Sequence, residues 1–86
     1  MPSPHQVLVT ASQLGQMLQQ ARKGRKMSQS ALASRIGLSQ SRVSHLELNA
    51  QDLSVAKLLA WCSALELELT LASRKGMAPA APETDW

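Results

Sequence analysis

The chain predicts a mainly α fold of four to five short helices, closed by a single C-terminal β-strand. Three observations lead there. The same helix-start signal recurs at four places, apolar residues after each signal fall at helical spacing, and strict alternation replaces that spacing only once, from Leu65 onward. A chain of 86 residues with 44% apolar positions supports one small folded domain with a modest core.

The start signal is an apolar residue, a Ser or Thr, and an apolar residue four positions beyond it. It reads Val9–Thr10–Leu14, Met27–Ser28–Leu32, Leu38–Ser39–Val43 and Leu53–Ser54–Leu58. A Ser or Thr N-cap accepts a hydrogen bond from an otherwise unpaired amide of the first turn, and the apolar pair closes over it. Thr10 adds Gln13 three residues on, a capping box. The first helix is expected over about Ala11–Lys23, inward on Leu14, Met17, Leu18 and Ala21 and stopped by Gly24. The second covers about Gln29–Ile36, burying Leu32, Ala33 and Ile36, with Gly37 as the turn. The third covers about Gln40–Leu48. The fourth covers about Val55–Leu65, with Val55, Leu58, Leu59, Cys62 and Leu65 inward and Trp61 at its edge or across a dimer.

Leu65, Leu67, Leu69 and Leu71 then alternate with Glu66, Glu68 and Thr70, which is strand periodicity. A longer fourth helix would scatter those leucines around its circumference. A single strand leaves a row of unpaired backbone groups, and the simplest remedy is the same strand of a second copy across a two-fold axis. Leu67, Leu69 and Leu71 are therefore the expected dimer strand. The domain organisation read from these signals is an N-terminal arm over 1–9, a folded domain over 10–72 and a disordered tail over 73–86 ending in Trp86.

Composition excludes several classes. The single Cys62 allows neither an internal disulfide framework nor a thiol-rich zinc site, and is expected to be a small buried hydrophobe. His5 and His45 stand far apart with no nucleophile arrangement or Gly-rich phosphate loop, so neither catalysis nor a cofactor is expected. Without Phe or Tyr there is no stacking platform for single-stranded nucleic acid. No signal peptide or membrane-spanning run is legible, so a cytoplasmic, nucleoid-associated protein is expected.

Charge is distributed unevenly. Arg22, Lys23, Arg25, Lys26, Arg35 and Arg42 occupy residues 1–46 with no acid among them, whereas all six acids lie at Glu47 or beyond. That division suits a half facing a polyanion, or a solvated basic face with no partner.

The second and third helices with the turn Gly37–Leu38 form a helix-turn-helix, in which the later helix enters the major groove of duplex DNA. At 100° per residue, Val43, Leu46 and Glu47 share one side of the third helix. Ser41 and His45 lie opposite, flanked by Gln40 and Ser44 and by Arg42. That outward surface is polar and mostly uncharged, as base reading requires; a Gln reads adenine and serines read several edges. The candidate base contacts are Ser39, Gln40, Ser41, Ser44 and His45. Helix N-termini aim amides at anions, which places Ser28 and Gln29 against phosphate, with Arg25, Lys26, Arg35 and Arg42 adding charge. Arg22 is expected instead to clasp Glu47, the one acid near the unit.

The run Ser28-Gln29-Ser30-Ala31-Leu32-Ala33-Ser34-Arg35-Ile36-Gly37-Leu38-Ser39-Gln40-Ser41-Arg42-Val43-Ser44-His45-Leu46-Glu47 resembles the Cro/C1-type (XRE) helix-turn-helix family. A Gln opening each helix, Ala and Gly at the packing positions and a terminal Glu carry the likeness. The resemblance implies DNA binding and matches Gln29, Gln40, Ser41 and Ser44 to DNA-contacting positions. Ser39 matches another, where many relatives place Lys. The later Leu-Glu-Leu-Glu-Leu-Thr-Leu run and a tail closing on an acid and Trp86 are similar to HipB antitoxins over nearly the whole length. That likeness implies a homodimer with paired C-terminal strands, double-stranded operator DNA as partner, and a HipA-type Ser/Thr kinase toxin on which Trp86 docks. A lone large aromatic on a bland tail suits anchoring in a partner's pocket; Trp86 folding back on its own dimer is the other reading. A freestanding XRE regulator, and an adaptor that reuses the fold without DNA, complete the set of readings.

Overall fold

The computed structural model describes residues 7–73. Each of the four start signals opens a helix. These are α1 (Ala11–Gly24), α2 (Gln29–Ile36), α3 (Gln40–Leu48) and α4 (Val55–Ala64), with a 3₁₀ turn at Ala50–Asp52 before α4. Thr10, Ser28, Ser39 and Ser54 each accept a hydrogen bond from the backbone amide three residues on, with an extended backbone at the cap. At Thr10 the capping box is complete, since the Gln13 side chain returns to accept from the Thr10 amide at 3.1 Å. Such a cap contributes about 1 kcal/mol, so the four boundaries are set locally before any tertiary contact forms.

The helix exits differ from one another. Gly37 closes α2 at φ +73°, donating its amide to the Ala33 carbonyl, and a residue with a Cβ is strained there. At the end of α1 the expected stop, Gly24, is the last helical residue. The left-handed position falls two residues later at Lys26, φ +56°. The Met27 amide closes that turn onto the Arg22 carbonyl at 3.1 Å.

α2 packs on α3 and α4, while α1 packs on α3 and on the 3₁₀ turn. The core between them holds Leu18, Leu32, Ala33, Ile36, Val43, Leu46, Trp61 and Leu65. Each large member stabilises by about 1.5–3 kcal/mol on leaving water. Gly15 marks the closest approach of α1 to α3, where a Cβ would collide with the Glu47 carbonyl.

Two expectations for α4 are corrected. Trp61 is fully buried, not at an edge, while Val55 and Leu59 stand 70% and 50% exposed. The inward face is thus turned toward Trp61 and Leu65, because the indole has the most apolar surface to bury of any side chain on the helix. Its Nε1 is a buried donor without a partner among the described residues. Cys62 is buried as expected, and burial pushes its thiol pKa up.

After α4 the chain turns at Glu66, φ +58°, and residues 67–73 have no regular secondary structure, so no strand is present among the described residues. Among the described residues there is no strand edge for this segment to pair with. Leu67 is half-buried against the core, while Leu69 and Leu71 are exposed. Together with Leu14, Met17 and Cys62 they line a groove of about 410 Å³. No helix among the described residues is long and apolar enough to cross a membrane.

Candidate nucleic-acid interface

Helix α3 buries Val43, Leu46 and Glu47 and leaves Gln40, Ser41, Arg42 and His45 exposed, with Ser44 half-buried at the flank. The sequence pattern divides the helix along the same line. At its N-terminus the Ser39 hydroxyl accepts from the Arg42 amide at 3.1 Å and lies 3.5 Å from the Ser41 hydroxyl. Ser28 spends its hydroxyl in the same way on the Ala31 amide. Both hydroxyl oxygens accept a capping bond, and what these positions offer an anion is the hydroxyl O–H together with the first-turn amides beside it.

Beneath the exposed face lies a polar cluster. Arg22 donates from Nε to Glu47 Oε2 at 2.6 Å and from Nη2 to Oε1 at 3.1 Å, a bidentate pair in which both side chains are buried. A third donation, from Nη1 to the Met27 carbonyl at 2.8 Å, fixes the loop between α1 and α2. The expected clasp is present. Gln29, at the start of α2, donates from Nε2 to Glu47 Oε1 at 3.0 Å. Its own Oε1 accepts from Gln40 Nε2 at 2.6 Å, so the first residues of α2 and α3 are joined through their side chains.

The remaining candidate residues are spread around this centre. His45 Nε2 stands 2.8 Å from Asp52 Oδ2, which draws the ring toward the 3₁₀ turn. Arg25 forms an exposed pair with Glu66 at 2.8 Å, tying the α1–α2 loop to the end of α4. An exposed pair of this kind is worth little and leaves Arg25 available to a stronger anion. Lys26, Arg35 and Arg42 are exposed with no ion pair among the described residues. Trp86 lies outside the described residues.

Gln29, Gln40 and Glu47 stand far apart in the sequence, which does not show that they are bonded. The available signal was positional: both glutamines open a helix of one helix-turn-helix, and Glu47 lies on the buried side of the second. Asp52 as a partner for His45 was missed for a plainer reason, since no local signal announces a three-residue 3₁₀ turn.

The arrangement is that of a helix-turn-helix unit with a polar helix face outward and basic residues on both sides. A helix-turn-helix family model (HTH_3) matches residues 18–71. Antitoxin HipB of Escherichia coli O6:H1 is 31% identical over 78 residues, covering 91% of this chain and 83% of HipB. The uncharacterized HTH-type transcriptional regulator y4dL of Sinorhizobium fredii is 40% identical over 62 residues, 72% of this chain. The chain spans about a third of that regulator's length, 32%. Among solved structures, a HipA-HipB-O2-O3 complex superposes with a TM-score of 0.76 at 28% identity, covering 83% of this chain and 100% of that one. A HipB-O4 20mer complex gives the same values. The chain is a DNA-binding regulator of the XRE-type helix-turn-helix family, and within it belongs with the HipB antitoxins.

Proposed function

We propose that this chain is the antitoxin of a HipA-type kinase toxin: a homodimer that binds operator DNA, represses its own operon and holds the toxin. The observation that carries the reading is the HipB likeness over 91% of the chain, which extends well past the helix-turn-helix into the segment after α4. The helix-turn-helix family model ends at residue 71, and the HipB likeness, over 78 residues, runs beyond it.

In this reading α3 enters the major groove. Gln40, Ser41 and Ser44 meet base edges, and Ser39 and His45 border them. The amides beside Ser28 and Gln29, with Arg25, Lys26, Arg35 and Arg42, meet phosphate. Leu67, Leu69 and Leu71 pair with their counterparts in a second protomer. Exposed leucines lining a groove support that pairing, because a second copy would cover them and the groove at once. Trp86 is assigned to the toxin.

The test is co-expression with the product of the adjacent gene, which this reading expects to be a HipA-type kinase. A stable complex that still shifts the chain's own promoter DNA is expected; promoter binding with no association to the kinase leaves a freestanding regulator. The 40% identity to y4dL, an HTH-type transcriptional regulator, favours that second reading.

A further inference from the structure

Of the basic side chains assigned to phosphate, Arg25 alone already holds an anion among the described residues. Its Nη2 lies 2.8 Å from Glu66 Oε1, whereas Lys26, Arg35 and Arg42 form no ion pair there. The two partners come from distant parts of the chain: the loop just ahead of the Ser28 cap, and the turn that follows α4.

Both backbones are fixed without help from the pair. The Arg25 amide donates to the Ala21 and Arg22 carbonyls at 3.2 and 3.1 Å, and the Met27 amide closes the loop onto the Arg22 carbonyl. The Met27 carbonyl in turn accepts from the buried Arg22 guanidinium at 2.8 Å. At the other turn the Leu67 amide donates to the Cys62 carbonyl at 2.8 Å, with Glu66 in the left-handed region at φ +58°. Parting the pair therefore takes side-chain rotation alone.

The side chains of Arg25 and Glu66 are 43% and 72% exposed, so the pair is weak. An exposed pair of this kind changes an equilibrium by a factor of about five at most. A DNA phosphate offers a guanidinium a full pair of acceptor oxygens, the arrangement in which arginine binds best. Two routes lead to that contact, and Glu66 opposes both. If the carboxylate stays, two anions crowd one cation and much of the attraction is cancelled. If it leaves, the pair is forfeited.

We propose that Glu66 is an intramolecular competitor of DNA phosphate for Arg25, an autoinhibitory contact that lowers the affinity of the chain for duplex. The inference rests on the reading of Arg25 as a phosphate contact and adds the residue that sets the strength of that contact. Phosphate attraction is independent of base sequence. Glu66 thus weakens binding to operator and to unrelated duplex by the same factor, and tunes affinity without touching sequence preference.

A double-mutant cycle on the full chain tests this with two probes, a duplex selected from randomised 30-mers and a scrambled version of it. Dissociation constants are measured at about 0.1 M salt, at protein concentrations where sedimentation gives the same oligomer for every variant. Glu66→Gln keeps the size of the side chain and removes its charge. Affinity for both probes is expected to rise about threefold or more, with their ratio unchanged. Arg25→Ala should weaken both and reduce the salt slope by about one. Once Arg25 is gone, adding Glu66→Gln should leave affinity where it was. No gain in Glu66→Gln overturns the inference. An equal gain with Arg25 present or absent also overturns it, since Glu66 would then be only a general repulsive charge. Both results leave Arg25 assigned to phosphate. Arg25→Ala with wild-type affinity and salt slope overturns that assignment, and the inference with it.

Discussion

The two halves of this small molecule are finished to different degrees. From α1 through α3 the helix starts and the buried polar side chains have their partners within the chain, and Leu48 is the one large apolar residue of these helices that stands exposed. The helix starts are capped, the Arg22–Glu47 pair is bidentate, and Gly15 lets α1 and α3 touch. From α4 onward Val55, Leu59, Leu69 and Leu71 face outward, Leu69 and Leu71 on a groove that the described residues leave open. The contrast teaches where the described chain is self-sufficient: the helix-turn-helix is held together by its own residues, while the later apolar side chains are the ones the proposed dimer would cover.

The largest effect that would break the comparison lies in the first half. Glu47→Ala strands a buried guanidinium, and a loss of about 3–5 kcal/mol is expected in urea unfolding. Arg22→Met combined with Glu47→Leu should recover much of that loss, since burial without charge avoids the desolvation cost. Stability equal to wild type in Glu47→Ala would show the clasp to be incidental. Next in size is Gly15→Ala, which pushes α1 away from the Glu47 carbonyl and should cost about 1–3 kcal/mol. Leu69→Asp acts on the other half. It should convert a dimer to monomers in sedimentation velocity while far-UV circular dichroism keeps the helices, and a persistent dimer would move the interface elsewhere. Ser39→Ala removes one cap and should cost about 1 kcal/mol, with DNA affinity falling further than stability does. The smallest effect concerns Cys62. Burial raises its thiol pKa, so it stays protonated and shielded at pH 8, and alkylation should be slow there until urea unfolds the chain.

The same contrast explains what could be read from the sequence. Capping is a four-residue signal, so α2 and α3 have the limits their Ser caps and Gly37 indicate. The clasp was legible because Glu47 is the first acid after six basic residues. α4 was harder. Val55, Leu58, Leu59, Trp61 and Cys62 place apolar residues on most of its circumference, and periodicity cannot say which of them face the core. Only the packing of α2 against α4 settles that Trp61 is inside and Val55 outside. The Gln29–Gln40 bond joins residues eleven apart through the geometry of the turn between two helices, which no window along the chain displays. The C-terminal strand stays an expectation of the alternating leucines, since its hydrogen bonds would belong to two chains together.

The central claim is that two copies present α3 to one stretch of duplex DNA. Hydroxyl-radical footprinting of the full chain on its selected duplex tests it most directly. Two protected patches about one helical turn apart, roughly 10 base pairs, are the expected result, both disappearing in Leu69→Asp at the same protein concentration. A single patch that is unchanged in that variant would contradict the claim.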